Sequence, residues 1–242
     1  MIGTATQRGI DEHERVHRAQ GVWPYLGALC GILFVICELG GIVVLSAAGW
    51  ANPGAPRNAI ARVFLSAPSP TMRLGEALEI LSALLFVLFA GRLYADLRRA
   101  EGGTGWLSTV AFGAALLFAG VQLAGDAAFG ALALRAGHGL DVAEAMTLFD
   151  LGQFFYVLDW AACSLFLLAV AAVVVRERAF SVWIGWSGVA LSAGFLIGVV
   201  LPTTGIADIP ATLFYVWLVA LSAVLIRRSM AHRSTVQGAE VA

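Results

Sequence analysis

Of 242 residues, 60% are hydrophobic and 13% are charged, with a mean hydropathy of +0.84, whereas an ordinary soluble domain carries about a quarter charged residues. A soluble fold of this length has too little interior for such apolar runs, which excludes soluble enzymes, nucleic-acid binders and disordered scaffolds and leaves an integral membrane protein. All 15 basic residues are arginine, so chemistry through a lysine Schiff base is excluded as well.

A polar segment, residues 1–22, precedes the first apolar run and reads as a cytoplasmic tail. Its length, ahead of a long run that contains Glu38, argues against a cleaved signal peptide and for a retained first span. A helix needs about 20 apolar residues to cross a hydrocarbon core of about 30 Å, and six runs meet that length. The first covers Tyr25 to Ala48, the second Leu74 to Ala95 and the third Trp106 to about Leu132. The fourth covers Val142 to Val175, the fifth Phe180 to Leu201 and the sixth Ile209 to Ile226. The fourth exceeds what a span requires, so it should tilt or project past the outer surface. None of the runs alternates polar and apolar residues with a period of two, as barrel strands would. The expected fold is an all-α polytopic bundle, with a transmembrane domain over 23–228 and a short tail over 229–242.

The orientation follows from arginine asymmetry. With the N-terminus inside, eleven arginines fall on the cytoplasmic side: Arg8, Arg15, Arg18, Arg92, Arg98, Arg99, Arg176, Arg178, Arg227, Arg228 and Arg233. Only Arg57, Arg62, Arg73 and Arg135 fall outside, so both termini are expected in the cytoplasm of a prokaryote. The one long connection, 51–72, is an outer loop in which Asn58 to Leu65 can form a short interfacial helix after Pro56. In the fifth span Ala190, Gly194 and Gly198 recur every fourth residue and offer a close-packing stripe to another helix of this chain, to a second copy or to a partner protein. No internal repeat of the kind that builds inverted-repeat transporters stands out.

Intramembrane carboxylates carry the most information, because an ionised acid in hydrocarbon needs a partner, a bundle interior or water. Glu38 lies near the middle of the first span and Asp159 near the middle of the fourth. Glu76 and Glu79 are three apart, hence on one face of the second span near its outer end. Asp126 lies one turn beyond Gln122 in the third span, and Asp150 three residues before Gln153 in the fourth. No acid lies in the inner half of any span, and spans five and six carry no charge. The pattern predicts a polar cavity that opens to the outer face, floored by Glu38 and Asp159 and walled by spans one to four. The plainer alternative pairs Glu76 with Arg73, and Asp126 and Asp150 with Arg135. No arginine lies at the depth of Glu38 and Asp159, whose neutral forms would still need hydrogen-bond partners. Such a pair suits a proton relay, a cation site or a general acid.

Three strings resemble catalytic motifs. His13-Glu14-Arg15-Val16-His17 matches HExxH, but it lies in a polar tail among Asp11 and Glu12 and reads as a mixed-charge juxtamembrane segment. Gly185-Trp186-Ser187-Gly188 matches the GxSG of rhomboid proteases, yet no span holds a histidine to activate the serine. Asn52-Pro53-Gly54 echoes a metalloprotease motif on the side opposite HExxH. Cys30, Cys37 and Cys163 sit in apolar runs without a CxxC pair and read as small buried hydrophobes. With no P-loop, Rossmann fingerprint or intramembrane histidine, no nucleotide, haem or metal is implied.

Trp23, Tyr25, Trp50, Trp106, Trp183 and Trp186 fall near span ends, as interfacial anchors do. Tyr156, Trp160 and Trp217 lie deeper, and Tyr156, three before Asp159, is placed to hydrogen-bond it. An acid beside aromatic rings also suits an enzyme that protonates an alkene and shields the cation.

Arg73-Leu74-Gly75, Leu148-Phe149-Asp150-Leu151-Gly152-Gln153, and Trp183-Ile184-Gly185-Trp186-Ser187-Gly188-Val189 followed by Pro202 form an ordered set. In this order of features the chain resembles, over about residues 73–228, a broad bacterial family of six- or seven-span membrane proteins known as domain of unknown function four-three-eight-six. The resemblance implies the helical membrane fold and no defined activity. Gly152 stands where relatives carry histidine, which removes histidine-based chemistry from that position. Three classes of function are thus expected. The first is binding or transport of a cation, proton or amphipathic solute. The second is an accessory subunit packing through the stripe of span five, and the third an enzyme acting on a lipid or isoprenoid with Glu38 or Asp159 as general acid.

Overall fold

The computed structural model describes residues 23, 25–50, 56–58, 60, 63, 69–135, 138, 141–202 and 208–231 in full, and the helical backbone alone of 3–22, 24 and 232–240. Among the described residues there are six long helices and no strand: α1 (Gly3–Ala47), α2 (Pro70–Glu101), α3 (Trp106–Arg135), α4 (Val142–Glu177), α5 (Val182–Val200) and α6 (Asp208–Glu240). Each contains a segment long and apolar enough to cross a membrane. The two tails are continuations of α1 and α6, whose helices run out to Gly3 and Glu240. The side chains of the HExxH-like string, and the Asn52-Pro53-Gly54 string altogether, lie outside the described residues.

The helix ends follow local chemistry more closely than hydropathy does. α2 starts four residues ahead of the expected Leu74 because Ser69 caps it, its side chain accepting from the Met72 N–H at 3.1 Å, with Pro70 in the first turn. Its C-terminal end stops at Gly102, whose φ of 61° few other residues tolerate. Arg98 and Arg99 occupy the last turn, where cations complement the helix dipole. The Glu101 carboxylate then accepts from Leu107 N–H (3.0 Å), Ser108 N–H (2.8 Å) and Ser108 Oγ (2.5 Å), satisfying free donors at the start of α3. Phe180, expected inside the fifth span, instead sits in the α4–α5 turn, because Arg178 takes a left-handed φ of 50° and ends α4. The Phe180 ring lies 4.5 Å under the Arg228 guanidinium, tying that turn to α6.

Packed pairs follow chain order from α1 to α6, α6 returns to α1, and α2 also reaches α4 across the interior. Small residues set the closest approaches. Ala111, Ala114, Ala115, Ala119, Gly125 and Ala128 are the buried small residues of α3, which let its backbone draw near α4. Gly185 and Gly188 bring α5 against Val175, Ala171 and Leu167 of α4. Gly194, from the stripe of span five, faces Pro210 of α6, so a helix of the same chain takes that position. Ser164 and Ser192 share a buried 2.7 Å hydrogen bond between α4 and α5, and Trp217 of α6 donates to Ile184 O at 3.0 Å.

At mid-bundle Phe86 is fully buried, its ring centroid 4.8 Å from Phe118, 5.2 Å from Phe34 and 5.5 Å from Phe166. Outward, the helices expose apolar side chains such as Ile36, Val43, Leu88, Leu117, Leu165, Ile197 and Val216. Water would not tolerate so much exposed hydrocarbon, whereas a lipid bilayer is the solvent that matches it. The chain is a multi-pass membrane protein. Trp23, Trp106, Trp183 and Trp186 are all more than half exposed near helix ends, where amphipathic rings meet the interface.

The outer loop is represented by Arg57, Asn58, Ile60 and Val63, all helical, in keeping with the expected short helix. Ile60 is buried with Leu132, Ala145 and Phe149, so the loop packs on the ends of α3 and α4.

Candidate functional site

Four helices contribute one stripe each to a cavity of about 280 Å³. From α1 come Glu38, Ile42, Leu45 and Ser46, and from α2 Glu76 and Glu79. From α3 come Gln122, Gly125, Asp126 and Phe129, and from α4 Gly152, Gln153, Tyr156 and Asp159. These intervals of three, four and seven residues are those that keep side chains on one helix face. The cavity runs from mid-bundle to the end that carries the α1–α2 and α3–α4 connections. At that end Trp50, expected as an interfacial anchor, meets Phe129 edge-on at 4.9 Å and lines the mouth.

The deep end is a polar network. Ser82 Oγ lies 2.5 Å from Glu38 Oε2 and 2.7 Å from the Glu79 carbonyl, so its single proton serves one of them at a time. Gln122 Nε2 donates to Glu38 Oε2 at 2.9 Å and to Ser82 Oγ at 3.1 Å. The Glu38 carboxyl also lies beside the Glu79 carboxyl and near Tyr215 of α6. Gly41 makes the carboxyl contact possible: a Cβ there would strike Glu79 Oε1, so the missing side chain leaves that carboxyl room against α1. Two neighbouring carboxyl groups can hydrogen-bond each other only when one of them carries a proton. With both ionised they would repel by about 4 kcal/mol at about 4 Å, even with an effective dielectric of about 20.

Asp159 is only 7% exposed and lines the cavity, and its Oδ1 has no protein partner. Glu76 Oε1, Glu79 Oε1, Gln122 Oε1 and Asp126 Oδ2 are likewise buried without a hydrogen-bond donor from the protein. All five residues line the same space. No arginine does. The ion pairs among the described residues, Arg92 with Asp96 at 2.7 Å, Arg99 with Asp96 and Arg176 with Glu177, lie at the opposite end of the bundle. Arg73 is exposed and forms no ion pair with Glu76, and Arg135 forms none with Asp126 or Asp150. The floor is closed by the aromatic core: Phe34, Phe86 and Phe118 each lie one helical turn below Glu38, Ser82 and Gln122.

Of the nine residues expected at such a cavity, Glu38, Glu76, Glu79, Gln122, Asp126, Gln153, Tyr156 and Asp159 line it. Asp150 does not; it is exposed, because nine residues before Asp159 is about two and a half turns, which places it on the opposite face of α4. No hydrogen bond joins Tyr156 to Asp159. Tyr156, 46% exposed, instead packs edge-on against Trp160 at 5.4 Å. Trp160 itself is buried and does not line the cavity.

Ser82 and Tyr215 were not expected at the site. Ser82 carries a readable signal, since it continues the spacing of three set by Glu76 and Glu79. Tyr215 carries none, as its position depends on α6 packing against α1. Ser187 of the GxSG-like string donates back to Trp183 O at 2.7 Å within its own helix, which explains it as a structural hydroxyl. Gly152 is also accounted for: a Cβ there would lie 2.5 Å from the Phe129 ring, which fills the space that a larger residue would need. Among the described residues no three histidine, cysteine or acidic side chains converge as metal ligands do.

Comparison with known proteins finds no match: no family model, no curated protein and no solved structure is similar to this chain.

Proposed function

We propose that this protein binds or transports a small organic cation, an amine with modest apolar substituents, in the cytoplasmic membrane of a prokaryote, with the acidic mouth toward the outside. One observation carries the reading. Five residues, each with a buried oxygen that lacks a protein donor, Glu76, Glu79, Gln122, Asp126 and Asp159, line one cavity that no arginine among the described residues enters. Such a space calls for a guest that brings positive charge and N–H donors. The walls supply apolar surface from Ile42, Leu45, Val121 and Phe129 for the rest of that guest, the mixture of few polar and many apolar groups usual in small-molecule sites. A bare metal ion fits less well, because the carboxyls are spread around the walls instead of converging. The outward direction rests on arginine asymmetry.

The test is a titration of the purified protein in lipid nanodiscs with n-butylammonium, and with n-butanol as the uncharged counterpart. Butylammonium is expected to bind and butanol is not. Asp159→Asn, which keeps shape and removes charge, should weaken binding by at least about tenfold with unchanged helical content. Equal binding of amine and alcohol, or an unaffected Asp159→Asn variant, would remove the cation site.

A further inference from the structure

The contact between the Glu38 and Glu79 carboxyls gives the cavity a second property, a proton that can be exchanged, which rests on the cation-binding reading. A pair so joined holds one proton and one negative charge. Three features maintain it. Gly41 clears the space for Glu79, Ser82 and Gln122 present donors to one oxygen of Glu38, and Tyr215 reaches it from α6. The titratable groups that face the pair are Glu76 of α2, Asp126 of α3, Asp159 and Tyr156 of α4, Tyr215 of α6 and the Cys37 thiol of α1. α5 has no ionisable side chain. Every group is an acid. A cation that enters therefore meets no competing cationic side chain among the described residues that line the cavity.

We infer that the cavity exchanges its guest for a proton: one monovalent organic cation enters as one proton leaves the Glu38–Glu79 pair. The balance is simple. The O–H bond of the protonated carboxyl breaks, the proton passes through the outward mouth to water, and the pair goes from one negative charge to two. The incoming cation restores the net charge of the site. Asp159, 7% exposed with Oδ1 unpartnered and lining the same space, adds an anchor for the guest that takes no part in the carboxyl contact. By linkage, the site takes up a proton when the cation leaves, so each ligand drives the release of the other. A carrier that moved both in opposite directions would be a cation–proton exchanger.

The experiment measures proton release and binding together. The full chain in nanodiscs, in weak buffer with a pH-sensitive dye, is titrated with n-butylammonium between about pH 6 and pH 8, where an alkylammonium keeps its own protons. The expected result is close to one proton released per cation bound, with affinity rising about tenfold per pH unit while the pair remains protonated. Glu79→Gln removes the shared proton, so it should bind the cation with no release and with affinity independent of pH. Gly41→Ala supplies a second variant: alanine favours the helix over glycine, while its Cβ displaces the Glu79 carboxyl. It should keep full helical content and lose most of the release. Cation binding by the wild type without proton release, or release that persists in both variants, overturns the exchange and leaves the cation site standing. No binding of butylammonium by the wild type overturns the cation site and the exchange with it.

Discussion

Ser82 shows how much a single hydroxyl decides in this bundle. It is fully buried on α2, one turn above Phe86, and lies between the Glu38 carboxyl at 2.5 Å and its own helix at the Glu79 carbonyl, 2.7 Å away. The carboxyl is the stronger acceptor, since hydrogen bonds to charged groups exceed those to neutral ones. Ser82→Ala, almost isosteric, should therefore leave Glu38 with a donor missing and lower unfolding stability by about 1–3 kcal/mol, measured by denaturant titration in detergent. An unchanged midpoint would show that the hydroxyl gives its proton to the helix. Asp159 poses the opposite case at the same scale. Its Oδ1 has no protein donor to lose, so Asp159→Asn should change binding far more than stability.

At the scale of helices, the α3–α4 crossing shapes one wall of the cavity. Gly125 and Gly152 face each other there, with the Phe129 ring laid over Gly152. Glycine is needed at 152 because a Cβ would meet that ring at 2.5 Å. Gly152→His is thus expected to destabilise the bundle by about 1–3 kcal/mol through overpacking. In the double variant Gly152→His/Phe129→Ala, the ring that obstructs the histidine is gone, and part of that loss should return in a double-mutant cycle followed by thermal unfolding. Additive losses would mean that Phe129 is not what excludes a larger residue. The same packing logic governs α5, which has no charge of its own. Gly185, Gly188 and Gly194 serve contacts with α4 and α6, and Ser187 bonds its own backbone.

On the scale of the whole molecule, six crossings place both termini on one side of the membrane. Eleven arginines against four predict that this side is cytoplasmic. A reporter that fluoresces only in the cytoplasm, fused after Ala242, should be bright, and a His138→Cys variant should react with an impermeant thiol reagent added from outside. The reverse pattern would invert the bundle and turn the acidic cavity inward. The aromatic layer around Phe86 matters at this scale too, because it closes the cavity toward the arginine-rich end. A transport cycle has to open that layer, whereas a binding protein can leave it shut.

The helical membrane fold was legible residue by residue. Span length and hydropathy belong to single segments, and the bilayer imposes them on each helix separately. Caps explain the remaining errors at the ends, as with Ser69 and Arg178, which carry little hydropathy signal. The acids of the cavity were also visible, since an ionisable group in an apolar run stands out wherever it faces. What the sequence by itself determined is therefore the number of spans, the one-sided placement of charge and most of the residues available to a site. Only the tertiary structure decided which of them meet. Ser82 and Glu38 are 44 residues apart, and Gln122 and Glu38 are 84 apart. Whether such side chains touch depends on helix rotation and on crossing distance. Small residues such as Gly41 and Gly152 set both, and their effect appears only against the neighbour they admit. Asp150 makes the same point by exclusion: its chemistry matched the others, and the turn of α4 faced it away.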